Sequence, residues 1–306
     1  MIRILLTGGS GQVGWELQRT LCALGEVIAV DRERMDLASP DAIRDTIRSV
    51  KPDIIVNAAA YTTVDKAESE LELAMAINGT APGILAEEAR RLGSFLIHYS
   101  TDYVFDGTKE NPYGEDDPPN PLNVYGCSKL AGEQAIQSVG VPHYIFRTSW
   151  LYASRRHNFF RSILRLAQER SQLRIVNDQV GAPTWARAIA ESTALVLAQA
   201  ITTNGINRAR LSETSGLYHL TAAGAVSWFG FAHAILREGA ALIDERIPEL
   251  LPIPTSGYPL PARRPANSRL DNTRFTATFG CALPNWQAML SLCVGEMHTT
   301  LRRQNA

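Results

Sequence analysis

The sequence predicts an α/β protein: a doubly wound parallel sheet followed by a smaller C-terminal domain. Short apolar runs alternate with helix-like stretches five times over residues 1–150, the pattern of a parallel sheet covered on both faces. The first run ends in Gly8-Gly9-Ser10-Gly11-Gln12-Val13-Gly14, whose glycines have the spacing G-x-x-G-x-x-G. A second run, residues 26–31, ends in Asp31, an acid roughly 20 residues further on, as in a mononucleotide-binding βαβ unit.

Taken in order, residues 3–7 form the first strand, and Trp15, Leu17, Leu21 and Leu24 give the apolar spacing of the first helix, closed by Gly25. Residues 26–31 are the second strand. Ser39-Pro40-Asp41 starts a helix running to about residue 50, with Ser39 as N-cap and Pro40 in the first turn. Residues 53–57 are a buried strand, followed by the small residues Ala58-Ala59-Ala60 and then Tyr61-Thr62. Residues 71–92 read as one long helix bent near Gly79 and Pro82. Residues 95–99 form the fourth strand, running into Ser100-Thr101-Asp102-Tyr103. A loop rich in Pro, Gly and acids, 106–121, precedes the next helix; loops of that length often bind ligands. Residues 143–147 are the fifth strand.

The pattern loosens beyond Trp150. Residues 159–168 and 186–200 read as helices, 175–179 and 217–220 as strands, 202–215 as a surface loop and 250–268 as an irregular proline-rich segment. Trp286 opens the last helix, ending near residue 301. The expected division is a dinucleotide-binding domain over 1–170 and a mainly substrate-binding domain over 171–306, with 186–222 returning to the first.

A net charge of -1 gives no electrostatic footprint for nucleic acid or a membrane surface. No apolar run reaches the ~18 residues of a membrane span, and the N-terminal run is too short for a signal peptide. Cys22, Cys127, Cys281 and Cys293 are scattered, as free thiols in a reducing cytosol would be. The expectation is a cytoplasmic protein.

The chemistry centres on Tyr125 and Lys129. At i and i+4 near the start of a helix they share a face, and an ammonium there is expected to lower the phenol pKa toward working pH. An isolated Y-x-x-x-K is more often a solvated helix face. Here Thr101, at a strand end, and the glycine loop point to the same crevice. Gly8, Gly11 and Gly14 would let the backbone approach a pyrophosphate seated on a helix N-terminus. Asp31 would accept ribose hydroxyls and disfavour a 2′-phosphate, while Arg32 and Arg34 offset that, so NADH and NADPH both stay open.

Glycine loop, strand-end threonine and Y-x-x-x-K together resemble the short-chain dehydrogenase/reductase superfamily, and the Thr7–Gly14 loop its nucleotide-sugar branch, with a Rossmann fold. Further blocks, among them Asn57-Ala58-Ala59-Ala60-Tyr61-Thr62, Tyr99-Ser100-Thr101-Asp102-Tyr103-Val104-Phe105, Asn177-Asp178-Gln179-Val180-Gly181-Ala182-Pro183-Thr184 and Arg264-Pro265-Ala266-Asn267-Ser268, resemble the dTDP-4-dehydrorhamnose reductase family across nearly the whole chain. The resemblance implies reduction of the 4-keto group of a dTDP-sugar by NADPH or NADH, a last step toward dTDP-rhamnose for surface polysaccharide such as O-antigen. It implies Tyr125, Lys129 and Thr101 as catalytic residues, and Thr101, Asp102 and Trp150 as substrate contacts. The implied cofactor lining is Gly8, Ser10, Gly11, Gln12, Val13, Gly14, Asp31, Asp36, Leu37, Ala60, Tyr61 and Thr62, with Tyr125 and Lys129.

Related 4,6-dehydratases carry a glutamate directly after Thr-Asp; here Tyr103 stands there, which disfavours elimination. A 4-epimerase, and a non-catalytic regulatory subunit of methionine adenosyltransferase, are the alternatives. Some members of the family resemble homodimers bridged by a divalent ion such as Mg2+. Glu16 and Glu296 match two of its ligand positions, but Arg187 stands at the third, and a guanidinium cannot ligate a cation.

Overall fold

The computed structural model describes residues 1–203, 205–243 and 247–304. Six parallel strands make the central sheet, in the order Gly216–His219, His143–Thr148, Phe95–Thr101, Ile54–Asn57, Arg3–Thr7 and Glu26–Val30. Strand side chains alternate faces, and the apolar residues divide accordingly. Ile4, Leu6, Val56, Ile97 and Phe146 pack on one face with Leu17 and Leu21 of helix Gln12–Leu21 and Ile189 of helix Ala186–Ala198. Leu5, Ile55, Leu96 and Ile145 pack on the other, against Ile43 and Ile47 of Pro40–Val50, Leu85 of Ala81–Leu92 and Ile136 of Val124–Val139. Burying each such side chain contributes roughly 1.5–3 kcal/mol, so the two-sided sheet dominates the fold.

The chain leaves Arg3–Thr7 for Glu26–Val30 on one side and returns to pair with Ile54–Asn57 on the other. The connections therefore diverge between Thr7 and Asn57, opening a crevice at the carboxyl ends of those strands. The site lies there.

A smaller unit sits beside the sheet. Its strands Gln172–Val176 and Glu249–Ile253 pair in parallel, and Val180–Gly181 pairs antiparallel with Val226–Ser227. Helices Phe159–Glu169 and Trp228–Glu238 pack together against it. Strand Gly216–His219 and helix Ala186–Ala198, by contrast, belong to the central sheet and its covering layer. No helix among the described residues is long and apolar enough to cross a membrane. All four cysteines are free thiols.

Three segments differ from expectation. The single helix over 71–92 is instead Leu71–Met75 and Ala81–Leu92 joined by a π-helical turn, Ala76–Thr80, which buries Asn78. The loop expected at 202–215 contains helix Arg208–Glu213, because Asn207 caps it by accepting from the Arg210 amide at 3.1 Å and Leu211 finds a buried site. The irregular segment at 250–268 begins as an ordered strand, since its neighbour Gln172–Val176 offers a free edge in register.

Candidate active site

The glycine loop is shaped by contacts that a side chain would block. Gly8 has φ +67°, and a Cβ there would lie 2.7 Å from the Ala59 amide nitrogen, so only glycine lets the two loops touch. The Gly11 amide donates to the Gly8 carbonyl at 2.8 Å, and the first helical bond of Gln12–Leu21 runs from the Trp15 amide to the Gly11 carbonyl. The amides of Gln12, Val13 and Gly14 precede that bond and have no helical acceptor. Beside Ser10, they are the groups suited to hold an anion at this helix start. Asp31 is exposed at the next strand end, and its Oδ1 accepts the Arg34 amide at 3.2 Å. Asp36 accepts from the Ala38 amide and pairs with Arg32 at 3.4 Å, while Leu37 is buried in the core beneath them. Ala60, Tyr61 and Thr62 follow strand Ile54–Asn57. Asn78 on the π-helical turn accepts from the Tyr61 amide at 2.8 Å and donates to the Tyr61 carbonyl and Ser128 Oγ, both at 3.0 Å. That turn fixes the alanine loop to the Tyr125 helix.

Helix Val124–Val139 is capped by Asn123, whose side chain accepts from the Gly126 amide at 2.8 Å. A Cβ on Gly126 would fall 2.2 Å from the Tyr103 carbonyl oxygen, so the helix start presses on the turn after strand Phe95–Thr101. The Tyr125 and Tyr103 rings consequently meet edge to face, with centroids 5.8 Å apart. The Thr101 hydroxyl, with one proton to give, lies within hydrogen-bond reach of both the Tyr125 phenol and Asp102 Oδ1, the latter at 3.0 Å, and accepts from the Tyr103 amide at 3.1 Å. Strand end and helix start thus place Thr101 and Tyr125 together.

One expectation is overturned. Lys129 does not lower the Tyr125 pKa: burial pushes the phenol up to about 12, outweighing the Thr101 hydrogen bond that favours ionisation. The ammonium is engaged elsewhere, donating to the Tyr99 carbonyl at 2.6 Å and lying 3.1 Å from His98 Nε2. Burial moves Lys129 itself down to about 8. Asp102 is buried too, and its carboxyl rises to about 7, despite hydrogen bonds from Ser268 and Thr101.

Trp150, just beyond strand His143–Thr148, has φ +47°, and its ring stacks on Trp228 at 3.4 Å, 4° from parallel. Trp228 borders a cleft of about 710 Å³ in the smaller unit, lined also by Phe159, Gln179, Tyr258 and Arg264. Arg264 pairs with Asp65 through two bonds of 2.7 and 3.0 Å and reaches the Tyr103 hydroxyl. Trp228 escaped notice in the sequence because no local motif surrounds it. Ser268 and Arg264 sit in a recognisable block, but nothing in their spacing says that they meet Asp102 and Tyr103.

Glu16 and Glu296 also converge, on Arg187. Its Nε lies 3.1 Å from Glu16 and its Nη2 2.6 Å from Glu296. A guanidinium therefore takes the place between two carboxylates that a cation would need.

The RmlD substrate binding domain model matches residues 2–299. The chain belongs to that family. The dTDP-4-dehydrorhamnose reductase of Burkholderia thailandensis is 50% identical over 301 residues, 97% of this chain and 99% of the relative. The crystal structure of a dTDP-4-dehydrorhamnose reductase from Clostridium acetobutylicum superposes with a TM-score of 0.88 at 34% identity, covering 97% of this chain and 100% of that one. The Bacillus anthracis enzyme, solved in complex with NADP, gives 0.86 at 31% identity, covering the same shares. The match spans both the sheet and the smaller unit.

Proposed function

We propose that this protein is an NAD(P)H-dependent oxidoreductase that reduces the 4-keto group of dTDP-4-dehydro-L-rhamnose to give dTDP-L-rhamnose. The observation that carries the reading is the Thr101–Tyr125 pair at the end of the crevice, in a chain that is half identical to a reductase of that name. The nicotinamide supplies the hydride; the amides of Gln12, Val13 and Gly14 and the exposed Asp31 are the groups that fit its pyrophosphate and ribose. Arg32 and Arg34 stand exposed beside Asp31, suited to a 2′-phosphate, so both NADH and NADPH are accepted.

Hydride addition turns the ketone oxygen into a strongly basic alkoxide. Tyr125, protonated at neutral pH, donates its proton to that oxygen, and Thr101 holds the oxygen as charge develops. A phenol raised to about 12 suits this direction, since the alkoxide is more basic still and the transfer runs downhill. Elimination of water would need a second acid/base residue after Asp102. Tyr103 fills that position and packs on Tyr125 instead. Lys129 orients the nicotinamide ribose, Asp102 and Trp150 contact the sugar, and the Trp228–Arg264 cleft takes the nucleotide end. In this reading residues 1–170 with 186–222 carry the cofactor and the remainder carries the sugar nucleotide.

The test is Tyr125→Phe. It is expected to lower turnover of dTDP-4-dehydro-L-rhamnose by at least about 100-fold, the usual contribution of general acid catalysis, with NADPH binding by fluorescence titration nearly unchanged. Substantial turnover in the variant would contradict the assigned role.

A further inference from the structure

A buried polar chain crosses the sheet beneath the site. Strand residues repeat every two positions and helix residues every three or four. His98 and Ser100 of one strand therefore meet Lys129 and Glu133 of the helix above. On the far side of the imidazole, Nδ1 lies 2.9 Å from Asn57 Nδ2. Asn57 Oδ1 lies 2.6 Å from Thr7 Oγ1, which accepts from the Ala59 amide at 3.2 Å. Lys129, His98, Asn57 and Thr7 are each at most 2% exposed. The chain thus runs over three adjacent strands and ends on the residues immediately before Gly8 and Ala58, where the two nucleotide loops begin.

Hydrogen-bond chemistry links its two ends. An ammonium is only a donor, so while Lys129 is charged His98 Nε2 must accept. The neutral ring then carries its proton on Nδ1, and Asn57 must turn its amide oxygen to the ring and its NH2 to Thr7. A neutral Lys129 amine permits the reverse order, with Nε2 donating to Nζ, Nδ1 accepting from Asn57 and Thr7 donating to Asn57. A charged Lys129 thus fixes the orientation of the chain, and a neutral one releases it.

We propose that His98 is a positioning residue for Lys129: its neutral ring is the acceptor that holds the ammonium, and it passes the charge state of Lys129 to Asn57 and Thr7 beneath the nucleotide loops. The inference rests on the reading of Lys129 as the ribose-binding residue. Burial, joined by the Lys129 charge, holds His98 well below the ordinary imidazole range, as an acceptor requires. Facing Lys129 are Glu133 on its own helix, which favours the ammonium, and His98 and the Tyr99 carbonyl on the strand. Glu133 is itself held by Arg147 and Ser100, and His143 faces His98 from the next strand. Without the imidazole the ammonium keeps one short hydrogen bond, and a buried charge that loses a partner discharges more readily.

The experiment follows the 13Cε resonance of Lys129 in selectively labelled, cofactor-free protein as pH is raised. His98→Phe is expected to lower the titration midpoint by about one pH unit. His98→Gln, whose side chain is long enough to present an oxygen to Nζ, restores it, and the alkaline fall in NADPH affinity moves with the midpoint in each variant. If His98→Phe does not fold, His98→Asn, too short to reach Lys129, is expected to give the same fall. An unmoved midpoint in the Phe or Asn variant, or an equal fall in the Gln variant, overturns the proposal. A protein that titrates as described yet does not reduce the sugar supports the role of His98 and sinks the functional reading alone.

Discussion

Asp102 shows how far a single residue departs from what its neighbours in sequence announce. Thr101 and Asp102 are legible as a strand end facing a crevice, but the spacing shows neither the burial of Asp102 nor its hydrogen bond from Ser268, 166 positions away in the chain. The Tyr125 pKa departs from the expectation for the same reason. Helical spacing placed Lys129 on the right face, yet it said nothing of His98 and Tyr99, which hold the ammonium away from the phenol. Spacing reports direction, and pKa depends on what lies beyond. Asp102 gives a prediction at this scale. Its folded value, about 7, lies above the ordinary aspartate value of 3.8, so the native state holds the proton more tightly and stability falls as pH rises between them. Asp102→Asn lacks that penalty. Relative to the unmodified protein it should gain on the order of a few kcal/mol at pH 8 in urea unfolding, the gain shrinking as pH falls toward 4. A gain independent of pH would mean that packing, not the buried carboxylate, is responsible.

Elements were read best where one periodicity held. The strands of the first domain and helix Val124–Val139 follow alternation and capping signals visible locally. Helix Arg208–Glu213 was hidden by polar composition, because one buried leucine and one asparagine cap suffice for a short helix supported by tertiary contact. The π-helical turn at Ala76–Thr80 was equally hidden, since its purpose is to aim Asn78 at Tyr61 and Ser128. Helix Val124–Val139 is anchored to the sheet one turn beyond Lys129. There Glu133 pairs with Arg147 through bonds of 2.9 and 2.6 Å and accepts from Ser100, all of them buried. Removing one partner strands the other charge, so Glu133→Ala should destabilise the protein by about 3–5 kcal/mol. Denaturant midpoints check this; a loss under about 1 kcal/mol would show that water relieves Arg147 in the variant.

Over the whole molecule, the crevice exists because the strand order reverses between Arg3–Thr7 and Ile54–Asn57, and the cleft beside it is bordered by Trp228, on which Trp150 stacks from a distant segment. The first feature announces itself in a glycine loop, while the second needs the fold. Arg187 joins helix Gln12–Leu21 to the C-terminal helix through Glu16 and Glu296. With a fixed cation supplied by the chain, a chelator should leave the thermal midpoint unchanged, whereas Arg187→Ala should lower it by leaving the buried Glu16 only the longer, 3.8 Å contact with the exposed Arg19. A fall on adding EDTA to the unmodified protein would mean that a metal binds there after all. The central claim is that the crevice delivers hydride to a 4-keto sugar and releases the spent cofactor. It is tested most directly by incubating the protein with 4-deuterated NADPH of the transferred face and dTDP-4-dehydro-L-rhamnose, then measuring label in the product against cofactor oxidised. The account predicts one deuterium at C4 of dTDP-L-rhamnose for each NADPH consumed. Sugar converted without label while NADPH remains intact would contradict it and favour an epimerase.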